Sequence, residues 1–291
     1  MALPGRTGAY ERAIDALTEE LGTRFVLGER LGGGHLGARA VYADDGTSAV
    51  LKVSDASYRS AVEPAVVLAE RLQAAGYPAP RPLHHGDIPG GYFFLQERAP
   101  GRPMRPVGVS QELDADELAV LLGLLDRHAG LGAGAPHDWT ESVQDVSIHR
   151  RREWTLVAEN PLPVVQRLLK ACEQRLAGIS DLSMRHDDLV IGDFGPHNIL
   201  VDEEGQVTCV VDLESAGRGD RVIDTLNLLY MVEPHLLGVV RDAALAIARP
   251  EAFVVCGVYW IVRRLFLGIR SDDSSLEPVA QRMLAHIDLL T

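Results

Sequence analysis

Asp193 and Asn198 lie five residues apart in Ile191–Leu200, "IGDFGPHNIL", and Asp212 follows in "VVDLE" after a short apolar segment and a turn. A loop aspartate can take a proton from a hydroxyl or orient a nucleophile. An asparagine five residues on can offer an amide oxygen to a metal. An aspartate at the end of the next hairpin can hold a divalent cation that bridges phosphates. Alone, the loop is equally well a polar turn between two strands; the set is more specific than its members. Upstream, Gly32, Gly33 and Gly34 in "LGGGHLGARAVY" would let backbone N–H groups approach a phosphate. Lys52 in "AVLKVS" is one of only two lysines in the chain, the other being Lys170. A lysine in an apolar strand behind a glycine-rich hairpin can reach nucleotide phosphates. Such an ammonium usually needs an orienting carboxylate, and the helix after Lys52 offers Glu63 and Glu70. Glu63, just before Pro64 and therefore expected near the helix start, is the preferred partner.

The elements that position these groups follow from periodicity. "RFVLGERL", "GARAVYA", "SAVLKVS" and "GYFFLQERAPG" read as strands, with Asp45-Gly46 marking a hairpin. "VVLAERLQAAG" has helical spacing and a glycine stop, as do residues 10–21 without the stop. A small sheet with one helix beside it is expected over residues 1–98. Residues 99–291 read as mainly helical, with a hairpin that turns at Asp202–Gly205. Asp114 or Asp116 is expected to cap one helix, and Asn160 with an early proline opens another. The fold class is therefore α+β, in two lobes: a small N-lobe with an antiparallel sheet and a larger helical C-lobe, hinged near Gln96–Ala99.

The 291 residues carry a net charge of −13, which argues against nucleic acid as a partner. The acids are unevenly spread: 12 acids against 10 bases in residues 1–98, and 29 against 18 in the rest. The uneven charge favours a cationic acceptor over an anionic one. The basic patch "SIHRRREW" (147–154) is expected to pair with the lobe's own acids in preference to binding an anionic part of a substrate. Cys172, Cys209 and Cys256 sit among apolar neighbours and read as buried thiols. The N-terminus shows no secretory pattern, and the longest apolar run, Ala252–Val262, is too short to span a bilayer. A cytoplasmic protein with no membrane partner is expected.

The order glycine loop, strand lysine, Asp-x4-Asn and hairpin aspartate is that of protein-kinase-like phosphotransferases. The stretch "IGDFGPHNILVDEEGQVTCVVDLESAGRGDRVIDTLNLL", with "AGYPAPRPL" and "FFLQERAPGRP", resembles the aminoglycoside phosphotransferase and choline kinase-like family over about residues 25–230. The resemblance implies a protein-kinase-like fold, ATP or GTP as donor, Mg2+, and phosphorylation of a small-molecule hydroxyl. It implies Asp193 as base, Asn198 and Asp212 as metal ligands, and Lys52 on the phosphates. The backbone near Gln96, Glu97 and Arg98 would meet the adenine. Glu214 would be a further metal or network group, and Asp220 and Asp224 would fix the loop and the next helix. Ile191 stands where the family usually has histidine. A second register, His186-Asp187-Asp188 with Asp193, restores a histidine but replaces the asparagine and lengthens the spacing to Asp212 from 19 residues to 24; the first register is preferred.

Three alternatives compete with a small-molecule kinase. A Ser/Thr peptide kinase of a natural-product pathway would use the same residues. A pseudokinase that binds nucleotide or a partner without turnover is favoured by Ile191 and opposed by the complete Lys52, Asp193, Asn198 and Asp212 set. A helical metal hydrolase built on His186-Asp187 would need histidines such as His128, His137 or His149, and the β-rich context argues against it.

Overall fold

In a computed structural model, which describes residues 6–32, 37–106, 112–179, 182–271 and 275–290, the chain begins with α1 (Arg6–Leu21). It continues through β1 (Phe25–Leu31), β2 (Ala38–Ala43), β3 (Ser48–Ser54), α2 (Arg59–Ala74), β4 (Pro82–Ile88), β5 (Gly91–Glu97) and β6 (Arg102–Pro103). Four helices follow: α3 (Ala115–Asp126), α4 (Trp139–Ser147), α5 (Glu153–Ala158) and α6 (Pro163–Leu176). The short strands β7 (Asp188–Val190), β8 (Ile199–Val201), β9 (Val207–Val210) and β10 (Gly217–Gly219) precede α7 (Val222–Asn227), α8 (Leu237–Ile247), α9 (Pro250–Arg270) and α10 (Leu276–His286). The chain divides into two compact units, Met1–Ser110 with Gly195–Ser215, and Gln111–Phe194 with Ala216–Thr291.

The first unit is built on an antiparallel sheet of order β1-β2-β3-β5-β4. Alternation along β3 and β5 sorts its side chains. Ala49, Leu51 and Val53, with Phe93 and Leu95, join Tyr10, Ala13 and Leu17 of α1 in one core. Tyr92 and Phe94 point the other way, onto Tyr58 and Val62 at the start of α2. Lys52, opposite Phe94 in the ladder, is placed by the same alternation. Two helices thus cover the sheet where the sequence suggested one, because α1 supplies a second apolar face. The strand β4 opens with Pro82, which hid it: proline lacks the ladder donor and reads as a breaker. The loop-borne strands complete the unit, in the order β6-β8-β9, and the Val210 N–H donates to the Pro78 carbonyl at 2.6 Å.

The second unit is a helical assembly around α9. The apolar run at 252–262 is the centre of this 21-residue helix, whose residues from Ala252 to Leu265 are mostly buried. By length and composition α9 could cross a bilayer, but here it is the core helix of the unit. Each fully buried aliphatic or aromatic side chain on it contributes about 1.5–3 kcal/mol. The Trp260 indole N–H donates to the Ile223 carbonyl and ties α9 to α7. Asp114, not Asp116, caps α3, in a reciprocal capping box with Glu117. Asn160 lies two residues before the N-cap Leu162 of α6 and accepts its N–H at 3.1 Å, while Pro163 takes the first helical position.

Candidate active site

Lys52 is 5% exposed. Its ammonium lies 2.5 Å from Asp212 Oδ1 and 2.6 Å from Glu214 Oε1. Burial works to lower its pKa, but the two carboxylates outweigh burial and hold it well above the usual value. Glu214 shows the complementary balance. Burial pushes its carboxyl up, while the Lys52 charge and hydrogen bonds from Lys52 and Tyr58 bring it below the usual range. The Tyr58 hydroxyl donates to Glu214 Oε1 at 2.8 Å.

Glu63 is not the partner of Lys52. It sits in the second turn of α2, which begins at Arg59 and not near Pro64. Its side chain is 54% exposed and pairs with Arg59 at 3.7 Å. The carboxylate for Lys52 comes instead from the residues just after β9. That hairpin also carries the candidate metal ligands. Asn198 is buried, and its carbonyl accepts the Val211 N–H at 2.9 Å across the ladder that pairs Ile199 with Val210. Asp212 is the next residue along, with φ at 61°, in the left-handed region that a non-glycine residue enters at a cost of about 1–3 kcal/mol.

The other sequence candidates of this unit are placed as follows. Gly32 is exposed at the end of β1; Gly33 and Gly34 lie outside the described residues. Gln96 is buried in β5, opposite Val50. Glu97 is exposed; its N–H donates to the Arg81 carbonyl at 2.8 Å and its carboxylate lies 3.6 Å from Arg81. The Arg98 guanidinium donates to the Tyr42 hydroxyl at 2.8 Å and pairs with Glu29 at 2.9 Å.

Asp193 belongs to the second unit, where it is exposed. The loop that presents it is fixed from behind. Asp224, fully buried on α7, accepts the Ile191 N–H at 2.7 Å and the Gly192 N–H at 2.9 Å. Burial raises the Asp224 carboxyl to about 7 despite these two donors, and the charge on Asp193 adds to the rise. Gly192 has φ at 77°, and a Cβ there would meet the Trp139 indole at 1.9 Å, so only glycine fits. Asn227 donates to the Phe194 carbonyl at 3.0 Å, and Arg264 in turn donates to Asn227 at 2.9 Å. Ile191 itself is fully buried. A histidine does reach this loop from elsewhere. His128, fully buried, stands edge-on to Phe194 with its Nδ1 3.8 Å from Asp224 Oδ2. Burial drives it down to about 3, so it is a neutral imidazole.

Of His186, Asp187 and Asp188, the first two are exposed and the third is inside. Asp188 is buried and accepts from Gly130 N–H at 3.0 Å and Arg221 at 2.9 Å. Tyr58, His128, Asn227 and Arg264 were not assigned to these roles from sequence, and Glu214 was named only as a further metal or network group, since their contacts join residues far apart in the chain.

The antiparallel sheet, the helical unit and the Lys52–Asp212 pair define a kinase-like fold of the aminoglycoside phosphotransferase type. The family model "Phosphotransferase enzyme family" matches residues 28–252, and the chain belongs to that family. Membership makes it a phosphotransferase. No curated protein sequence matches the chain. Among solved structures, aminoglycoside phosphotransferase APH(4)-Ia is 18% identical, over 96% of this chain and 99% of that one, with a TM-score of 0.66. Macrolide 2'-phosphotransferase MphH from Brachybacterium faecium is 19% identical, over 94% and 97%, with a TM-score of 0.60. Amicoumacin kinase hAmiN, in complex with AMP-PNP, Ca2+ and Ami, is 14% identical, over 98% and 93%, with a TM-score of 0.64.

Proposed function

We propose that this chain transfers the γ-phosphoryl group of ATP or GTP to a hydroxyl of a small molecule, with Asp193 as the general base. The observation that carries the reading is the Lys52–Asp212 contact at 2.5 Å, which joins a strand lysine to a hairpin aspartate 160 residues away. Phosphoryl transfer needs those two groups together: an ammonium for the phosphates and a carboxylate that would hold a divalent cation. Asn198 and Asp212 suit Mg2+, since both offer hard oxygen donors on one pinned hairpin. Among the described residues no cluster of three or more His, Cys, Asp or Glu is set to hold a metal. Mg2+ at such sites needs only one or two protein oxygens, so Asn198 and Asp212 would suffice to hold it. When bound, it would neutralise charge on the phosphate oxygens. Asp193 would accept the acceptor's hydroxyl proton as the acceptor oxygen bonds to the γ-phosphorus. The bond from that phosphorus to the bridging oxygen then breaks, and the nucleoside diphosphate leaves. Lys52 would hold the phosphates in line throughout.

Similar structures support both donors: one contains AMP-PNP and another GDP with kanamycin. The small molecules named with such structures favour an antibiotic-like acceptor over a peptide. The bracing of Ile191 and Gly192 by Asp224 supports turnover without a histidine at position 191. A nucleotide donor is the argument for a cytoplasmic site of action.

The test is a transfer screen with Mg2+ and either nucleotide over aminoglycosides, macrolides, amino alcohols and hydroxyl peptides, read as nucleoside diphosphate released. Asp193→Ala is expected to lower turnover by about 10²–10⁴-fold while nucleotide still raises the melting temperature. Equal turnover by wild type and variant would remove Asp193 from the mechanism.

A further inference from the structure

Lys52 has two carboxylate partners, and they are built differently. Asp212 is 37% exposed at its side chain and stands on left-handed backbone one residue beyond the hairpin ladder. Glu214 is 13% exposed, and its Oε1 receives two donors, Lys52 Nζ at 2.6 Å and the Tyr58 hydroxyl at 2.8 Å. Tyr58 is itself buried, on the short turn Ala56–Tyr58 that leads into α2. That turn is held by the Asp55 carboxylate, which accepts the Ser57 N–H at 2.9 Å. Glu63, on the helix where a lysine partner was expected, is half exposed and pairs with Arg59.

A carboxylate shared between an ammonium and a divalent cation has to divide itself between them. If Asp212 takes the metal, as the phosphotransferase reading requires, the ammonium needs a second partner that stays. Resting on that reading, we propose that Glu214, steadied by the Tyr58 hydroxyl, is the positioning residue for Lys52. It takes over the lysine and leaves Asp212 available to the metal. Glu63 has no part in this.

The chain has two lysines, which makes the pairing measurable in the resting protein. A lysine enclosed by its carboxylate partner is shielded from an acylating reagent and reacts slowly, and exposed Lys170 serves as the internal reference. Acetylation at pH 9 without nucleotide or metal, read by peptide mass spectrometry, gives the Lys52/Lys170 rate ratio. Glu214→Gln should raise that ratio tenfold or more, and Tyr58→Phe two- to fivefold. Glu63→Gln should leave it within 1.5-fold of wild type. A Glu214→Gln ratio within twofold of wild type, or a Glu63→Gln ratio as high as that of Glu214→Gln, overturns the assignment. Should Glu214→Gln fail to fold, Tyr58→Phe decides alone, and an unchanged ratio there is fatal. Protection of wild-type Lys52 by nucleotide with Mg2+ tests the phosphotransferase reading separately. Without it that reading fails and the positioning role falls with it, whatever the ratios say of the pairing.

Discussion

In the sheet-bearing unit a buried ammonium faces two carboxylates, whereas in the helical unit Asp224 is a buried carboxylate whose hydrogen-bond donors are two backbone N–H groups. Both clusters stand behind residues assigned to chemistry, and they meet the cost of burying charge in opposite ways. Opposite charges at contact distance favour the ionised state of both, so Glu214 falls below its usual range. Neutral dipoles do less. Two N–H groups and a neutral His128 leave Asp224 raised to about 7. The lesson is that an ion pair fixes charge, while a backbone-anchored carboxylate fixes shape and leaves its charge open to pH.

Removing the ammonium gives the largest expected effect. Lys52→Met leaves Glu214 buried without its counter-charge and should cost about 3–5 kcal/mol, read as faster hydrogen exchange in β3 and β5. Next comes the pH dependence. A carboxyl raised in the folded state gives stability that is fully present below its unfolded value of 3.8 and lost as pH rises through about 7. Between pH 5 and 8 the helical unit should therefore lose stability in wild type and lose less of it in Asp224→Asn. The difference should be at most about 2.7 kcal/mol, since only the two pH units from 5 to about 7 are converted, at about 1.4 kcal/mol each, and buried sites relax when charged. Trp139, Trp154 and Trp260 all lie in that unit, so indole fluorescence in urea reports it. Glu214 has the opposite sign: its lowered carboxyl contributes stability above its ordinary value of 4.5, lost as pH falls through the folded value. A fluorescence-detected stability that rises steadily from pH 5 to 8, equally in both proteins, would break the comparison.

Gly192→Ala should cost about 2–3 kcal/mol, since its Cβ meets the Trp139 ring and the backbone is left-handed. The smallest effect sharpens the reading of position 191. Ile191→Val removes one buried methylene and should cost about 1 kcal/mol with turnover within twofold of wild type. A large loss of turnover would mean that the side chain, and not only its N–H, sets the loop.

The sequence made the fold class and the lysine, asparagine and aspartate order legible because each depends on local pattern: strand alternation, a tight turn and a five-residue spacing. It did not reveal which carboxylate holds Lys52. Glu63 was the nearer choice along the chain, and Glu214 is 162 residues away. No periodicity encodes such a contact. The bracing of the loop was hidden for a related reason. Asp224 was assigned to the loop only through the resemblance, and His128 looks like an ordinary polar residue until the packing around α7 and the turn after α3 bury it. The strand β4 was obscured by the proline that opens it, and the extent of α9 by Arg263 and Arg264, which end the apolar run but not the helix.

The division of the chain has a consequence for how it is made. The sheet-bearing unit is discontinuous, since Gly195–Ser215 belongs with Met1–Ser110. On the ribosome, the strand that carries Lys52 emerges early and its two acidic partners emerge last among the parts of that unit. At about 5–20 residues per second, the lysine waits on the order of ten seconds for them. A fragment cut after Ser110 would lack both carboxylates, so the N-terminal segment is not a module that evolution or an engineer can transplant intact.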